Sequence, residues 1–173
     1  MDHADHVALL RDAIVPGTWA DLGSGEGAFT LALADLLAGD GEIHSIDRDR
    51  GALAAQEERM RRRFPSARVR YRVADFTKPL DLPPLDGIVM ANSLHFVREK
   101  QPLLERLRAT LTTDGRFVLV EYDADRGNMW VPHPLSMRTW RELSVRAGFR
   151  ETRELHRVPS RFLGAIYSAL SVT

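Results

Sequence analysis

The chain of 173 residues contains no cysteine, which excludes disulfides, thiolate metal ligands and a thiol nucleophile together. It has no excess charge of either sign. Its 24 Lys plus Arg face 24 Asp plus Glu, so no global field drives it toward nucleic acid or an anionic membrane. Lysine itself is nearly missing: arginine supplies 22 of the basic residues and lysine 2. That ratio fits guanidinium recognition of phosphates, but it more often reflects the coding bias of a GC-rich genome. Nothing approaches eighteen consecutive apolar residues, and the opening MDHADHVALL has neither a basic stretch nor a long apolar one. No membrane span and no secretion signal are therefore expected, and a cytoplasmic location is. The six histidines, His3, His6, His44, His95, His133 and His156, lack helical ligand spacing, so no metal is expected. What is present, 44% hydrophobic residues over this length, suffices for one core, and a single domain over 1–173 is expected.

Apolar periodicity sets the element order. Val7, Leu10 and Ile14 share a helical stripe over 4–15, closed by Pro16-Gly17, so 1–17 forms a short leading helix and turn. TWADL is a brief strand, and Gly27 to Leu37 is dense enough in apolar residues for a buried helix ended by Gly39-Asp40-Gly41. EIHSI predicts a second strand, Arg48 to Phe64 a helix stopped by Pro65, and the alternating RVRYRVAD a third strand. Arg68, Arg70 and Arg72 share one face of that strand. A central position would bury them without partners, so an edge strand is expected, with a nucleic-acid-facing stripe as the alternative. Three prolines between Phe76 and Leu85 predict a loop, and GIVMAN a strand buried on both faces. A helix over Leu103 to Leu111, the strand GRFVLVEY and a helix over Leu135 to Ala147 follow. FRETRELHRV and RFLGAIYSALSV are too close for a crossover and should pair antiparallel, the second as a strand from Arg161 to Leu170. The order implies an α/β fold: a single-domain, Rossmann-like, seven-stranded, mostly parallel sheet with an antiparallel C-terminal hairpin and helices on both faces.

In such sheets ligands bind beyond the carboxyl ends of the strands. Those ends carry Asp21 to Gly27, Asp47, Asp75-Phe76 and Asn92 to His95. Gly23, Gly25 and Ala28 satisfy G-x-G-x-x-A, a dinucleotide fingerprint, with Asp47 about twenty residues on. Asp21 and Glu26, however, flank the place where a pyrophosphate would sit, and two carboxylates there suit a cationic ligand better.

DLGSGEG resembles the first motif of the class I S-adenosylmethionine-dependent methyltransferases, an acidic residue followed by x-G-x-G-x-G. HSIDRD, RVADF, GIVMANSLHFV, LRATLTTDGRFVLVEY and RAGF follow in that family's order and spacing, from about Pro16 to the final hairpin. The resemblance implies S-adenosyl-L-methionine as cofactor, S-adenosyl-L-homocysteine as product, and no metal. Asp21 with Gly23, Ser24, Gly25 and Gly27 would hold the methionine moiety, the carboxylate facing its ammonium. Asp47, followed by Arg48, would accept from the ribose hydroxyls, Asp75 would meet the adenine amino group, and Phe76 would pack on the ring. Structural alternatives are a helix cap for Asp47, a turn for Asp75 and a core position for Phe76.

Methyl transfer needs a general base only where the acceptor must lose a proton. His95 is the candidate, with Asn92 orienting it and lining the cofactor site, and Tyr122 nearby; a histidine here could also simply line the pocket. The loop 123–134, DADRGNMWVPHP, should overlook the acceptor, with Trp130 stacking on a substrate or pinning the loop and His133 contacting the acceptor. Asn92 is followed by Ser-Leu-His rather than Pro-Pro-aromatic, which disfavours nucleobase amines and protein glutamine as acceptors. SLHFV looks more like the small-molecule methyltransferases. With only about seventeen residues before the first strand, either the substrate is held in an open cleft, or the 123–134 loop or a second subunit of a homodimer supplies the lid. RNA or protein as acceptor, motivated by Arg59, Arg61, Arg62 and Arg63, and a non-catalytic cofactor-binding module are the alternatives.

Overall fold

The computed structural model describes residues 1–160 and 162–173. Its elements are α1 (His3–Leu10), β1 (Gly17–Leu22), α2 (Ala28–Leu37), β2 (Gly41–Asp47), α3 (Arg50–Arg63), β3 (Arg68–Val73), β4 (Leu85–Ala91), α4 (Lys100–Arg108), β5 (Leu111–Tyr122), α5 (Met137–Arg146), β6 (Glu151–Ser160) and β7 (Gly164–Val172). One sheet contains all seven strands in the order β3-β2-β1-β4-β5-β7-β6. The first five are parallel to one another, and β7 runs antiparallel to both β5 and β6. The order reverses between β1 and β4, which opens a crevice at their carboxyl ends, the place where α/β sheets bind ligands.

The period of two in the central strands divides the core. Ala20, Leu22, Ile88, Met90, Phe117 and Leu119 face α4 and α5, where they meet Leu103, Leu104, Leu107 and Trp140. Trp19, Val89, Val118 and Val120 face the opposite layer, against Leu9, Leu10, Phe29 and Leu33 of α1 and α2. A strand covered on both faces has no polar side, hence the continuous apolar run in β4. Gly87 lies opposite Trp19 in the β1–β4 register. A Cβ on it would lie 2.3 Å from the indole ring, so the missing side chain makes room for the large one. β3 is an edge strand, as its arginines imply: Arg68, Arg70 and Arg72 are exposed along it.

Element limits differ from expectation in three places. The leading helix ends at Leu10 rather than Val15, because Pro16 forces the preceding residue out of the helical region and residues 11–13 form a turn, with Ala13 N donating to Leu10 O. The fourth helix starts at Lys100 rather than Leu103 and places Pro102 in its first turn, where a missing amide costs nothing. Leu111 belongs to β5 instead, which reaches back to pair with Leu85. The hairpin forms as expected, with β7 beginning at Gly164; the anticipated first residue, Arg161, lies outside the described residues.

Candidate active site

The glycine turn sits between β1 and α2. Gly23, Gly25 and Gly27 adopt φ of 77°, 52° and 86°, a left-handed region that side chains with a Cβ avoid. Four amides of the turn are already used. Gly23 N and Ser24 N donate to Ile46 O at 2.8 and 3.1 Å, and Gly27 N donates to Ser24 O at 2.9 Å. Gly25 N donates to Asp47 Oδ2 at 2.7 Å. A pyrophosphate would find those donors engaged and carboxylates beside it.

Beyond the turn lies a cleft of about 570 Å³, within the range that holds a nucleoside-sized ligand. Gly23, Gly25, Asp47, Arg48, Asp75, Phe76 and Asn92 all border it, so the fold brings seven of the expected cofactor residues to one wall. Asp47 Oδ1 also accepts from Asp49 N at 2.8 Å. The helix cap proper is Asp49, whose side chain receives Gly51 N and Ala52 N, which leaves the remaining lone pairs of Asp47 for hydroxyl donors. Asp75 forms an Asx turn with Thr77, whose hydroxyl and amide hold its carboxyl below the usual carboxylate range. Asn92 has φ of 52°, and its buried Oδ1 has no hydrogen-bond partner. A buried acceptor without a partner, on a residue that borders the cleft, is open to a ligand donor such as an ammonium or amino group.

Other expected residues lie underneath rather than at the surface. Ser24 joins Ser45 and Gln56 in a hydroxyl–amide network beneath the turn. Gly27 is pressed against Gln56, whose Cγ would lie 2.3 Å from an added Cβ. Asp21 is 1% exposed and does not border the cleft. Its Oδ2 receives the Thr30 hydroxyl at 2.6 Å. Burial, outweighing that bond and assisted by the charge of Asp47, pushes its carboxyl up to about 7.

On the other side of the Asn92-Ser93 wall, His95 is buried within the single 3-10 turn 94–96. Its Nδ1 stands 2.9 Å from Glu121 Oε1 and 3.0 Å from Oε2. Glu121 is fully buried and also accepts His95 N at 3.2 Å and Tyr122 N at 2.9 Å. With the carboxylate ionised, Nδ1 carries the ring proton and Nε2 is left as the basic nitrogen. Sequence reasoning missed Glu121; the signal was the lone charge in the apolar run VLVEY, which period two places on the same face as Phe117 and Leu119. The His95 ring lies 4.3 Å from that of Phe96 and 6.2 Å from that of Tyr122, and Tyr122 lies 5.8 Å from Phe162. His133 N donates to His95 O at 3.0 Å, which ties the end of the 123–134 loop to this turn. Trp130 is 70% exposed; Val131 beside it is the buried residue that anchors the loop.

Five parallel strands closed by an antiparallel β7, with a glycine turn after β1 and a cleft at the switch point, form the architecture of the class I S-adenosylmethionine-dependent methyltransferases. The chain belongs to the methyltransferase domain family, whose match covers residues 20–117. Among solved structures, it resembles a candidate O-methyltransferase from Nostoc punctiforme at a TM-score of 0.80 and 16% identity, covering 99% of this chain and 56% of that one. The YcgJ protein of Bacillus subtilis aligns at 0.79 and 12% identity over 99% of both chains. The N-terminal domain of EvdMO1, solved with S-adenosylhomocysteine bound, aligns at 0.75 and 21% identity, over 100% of this chain and 82% of that one. No curated protein matches the chain. Among the described residues no helix is long and apolar enough to cross a membrane, and no cluster of three metal-ligating side chains occurs.

Proposed function

We propose that this chain transfers a methyl group from S-adenosylmethionine to a hydroxyl oxygen of a small-molecule acceptor, with His95 as general base and Glu121 holding it. The observation that carries the proposal is the buried Nδ1 to carboxylate contact of 2.9 Å, in the turn whose next residue, Phe96, borders the cleft. The cofactor supplies an electrophilic methyl group and a neutral thioether leaving group. Around it, Asp47 would accept the ribose hydroxyls, Asp75 the adenine amino group and Asn92 Oδ1 a donor of the methionine end, with Phe76 and Phe96 packing on the rings. Asp21 would contribute negative potential from beneath the turn. Nε2 of His95 takes the hydroxyl proton as the acceptor oxygen forms its bond to the methyl carbon, and Glu121 stabilises the imidazolium that results.

Two features favour a small acceptor over a nucleic acid. Phe96, exposed, borders the cleft, and exposed Phe162 packs 5.8 Å from the ring of Tyr122, apolar surface suited to a flat molecule. The arginines of α3 and β3 are largely engaged: Arg59 with Glu26, Arg61 and Arg62 with Glu58, Arg70 with Glu42, and Arg68 with the carbonyls of Gly39 and Gly41. The O-methyltransferase description of the Nostoc protein points to oxygen as acceptor. Release of S-adenosylhomocysteine should be measured over a panel of phenols, alcohols and amines. Glu121→Gln, which presents an amide where the ring needs an anion, should lower kcat by about 10²-fold or more with little change in cofactor affinity. Unchanged kcat in Glu121→Gln on a phenolic or alcohol acceptor would exclude the base role.

A further inference from the structure

One of the two lysines in the chain is buried. Lys100, the first residue of α4, is 8% exposed and stands behind the His95 turn. Its ammonium donates to the carbonyl oxygens of Val97 at 2.7 Å and His133 at 2.8 Å. These acceptors belong to two segments far apart in sequence: the turn after β4 that carries His95, and the end of the 123–134 loop. The same segments meet through the bond from His133 N to His95 O. The stitch between the proposed base and the loop over the acceptor site thus consists of one backbone hydrogen bond and one cation. Burial lowers the proton affinity of Lys100, while the charges of Glu121 and Glu99 oppose that fall, so the ammonium lies within Coulombic reach of the fully buried Glu121. The hydrogen bonds of Glu121 come from the His95 ring and two backbone amides.

We propose that Lys100 is a positioning residue for the His95–Glu121 pair, its ammonium locking the His95 turn to the 123–134 loop. The proposal rests on the reading of His95 as base. An ammonium has three N–H groups, and two are committed to carbonyls that no other side chain reaches. An apolar side chain of similar length would leave those carbonyls without donors. Glu121 and Glu99 are the acidic groups whose charges act on the ammonium. Arg98 and Arg146 share with it the wall of a second cavity of about 430 Å³.

The test needs neither cofactor nor acceptor, so it stays separable from the methyl-transfer assay. Full-length wild type, Lys100→Met and the milder Lys100→Gln are compared by ring ¹⁵N spectra and amide hydrogen exchange, His95 being assigned through His95→Gln. The wild-type His95 ring should show the single Nδ1–H tautomer, and Lys100→Met a mixture of both, with the His133 amide exchanging at least tenfold faster. Should Lys100→Met fail to fold, Lys100→Gln is read the same way, because it keeps one donor and loses the charge. Wild-type tautomer and exchange in the folded variant would overturn the proposal. So would faster exchange spread evenly over β4 and β5, which would mark Lys100 as a general stabiliser.

Discussion

Asp21 ties the stability of the empty protein to the function of its site. Its carboxyl is 1% exposed and is pushed up to about 7 by burial first, against one hydrogen bond from Thr30. In the unfolded chain the same group titrates near about 3.9. The folded state therefore holds the proton more tightly, and between those values folding takes up a proton. The Asp21 contribution is fully present below about pH 4 and is lost as pH rises through about 7. Roughly three pKa units at 1.36 kcal/mol each make the loss about 4 kcal/mol by pH 8, a large share of the 5–15 kcal/mol of a typical domain. Asp21→Asn keeps an acceptor for the Thr30 hydroxyl and cannot ionise. Urea unfolding of both proteins from pH 4 to pH 8 should show the variant gaining about 4 kcal/mol on the wild type across that interval. The difference between the two cancels groups that titrate in both, including His6 and His44, whose burial lowers their proton affinity. Calorimetry with S-adenosylhomocysteine at pH 8 should show the opposite effect, with the variant binding at least about tenfold more weakly because the buried charge that attracts the ammonium is gone. A difference that stays within about 1 kcal/mol over the whole pH range would refute the burial argument. Equal affinity would refute the role of Asp21 in binding.

Asp47→Asn retains an oxygen for one donor but loses the charge that strengthens both ribose contacts. Its affinity for S-adenosylhomocysteine by calorimetry should fall about 10- to 100-fold, and undiminished affinity would remove Asp47 from the site. Gly87→Ala places a Cβ 2.3 Å from the Trp19 ring. Denaturant unfolding should show a loss of about 1–3 kcal/mol from overpacking, and a neutral result would mean that β1 and β4 can separate freely.

The strands and their directions could be inferred from the chain alone because period-two alternation, apolar runs and short connections are local signals. β4 reads as doubly covered from GIVMAN, β3 as an edge from Arg68, Arg70 and Arg72, and β6 with β7 as a hairpin from the few residues between them. Seven of the residues expected around the cofactor border one crevice because they stand at or just beyond strand ends, which the topology collects there, whereas Asp21, Ser24 and Gly27 lie beneath it. The limits of α1 and α4 were less legible, because tertiary packing and the two prolines move helix ends by a few residues.

Charge partners across the fold belong to another order of information. Glu121 stands 26 residues from His95, and the parallel register of β4 with β5, in which Ala91 pairs with Val120, brings them together. Lys100 reaches a carbonyl 33 residues away only because the 123–134 loop returns to the His95 turn. Asp21 reads as a ligand group in DLGSGEG, yet the packing of α2 over β1 covers it with Thr30 and raises its proton affinity. Residue types and local periodicity specify which groups stand at the strand ends. Which of them meet, lose water and change their affinity for protons depends on long-range packing, because desolvation and Coulomb attraction act through space rather than along the chain.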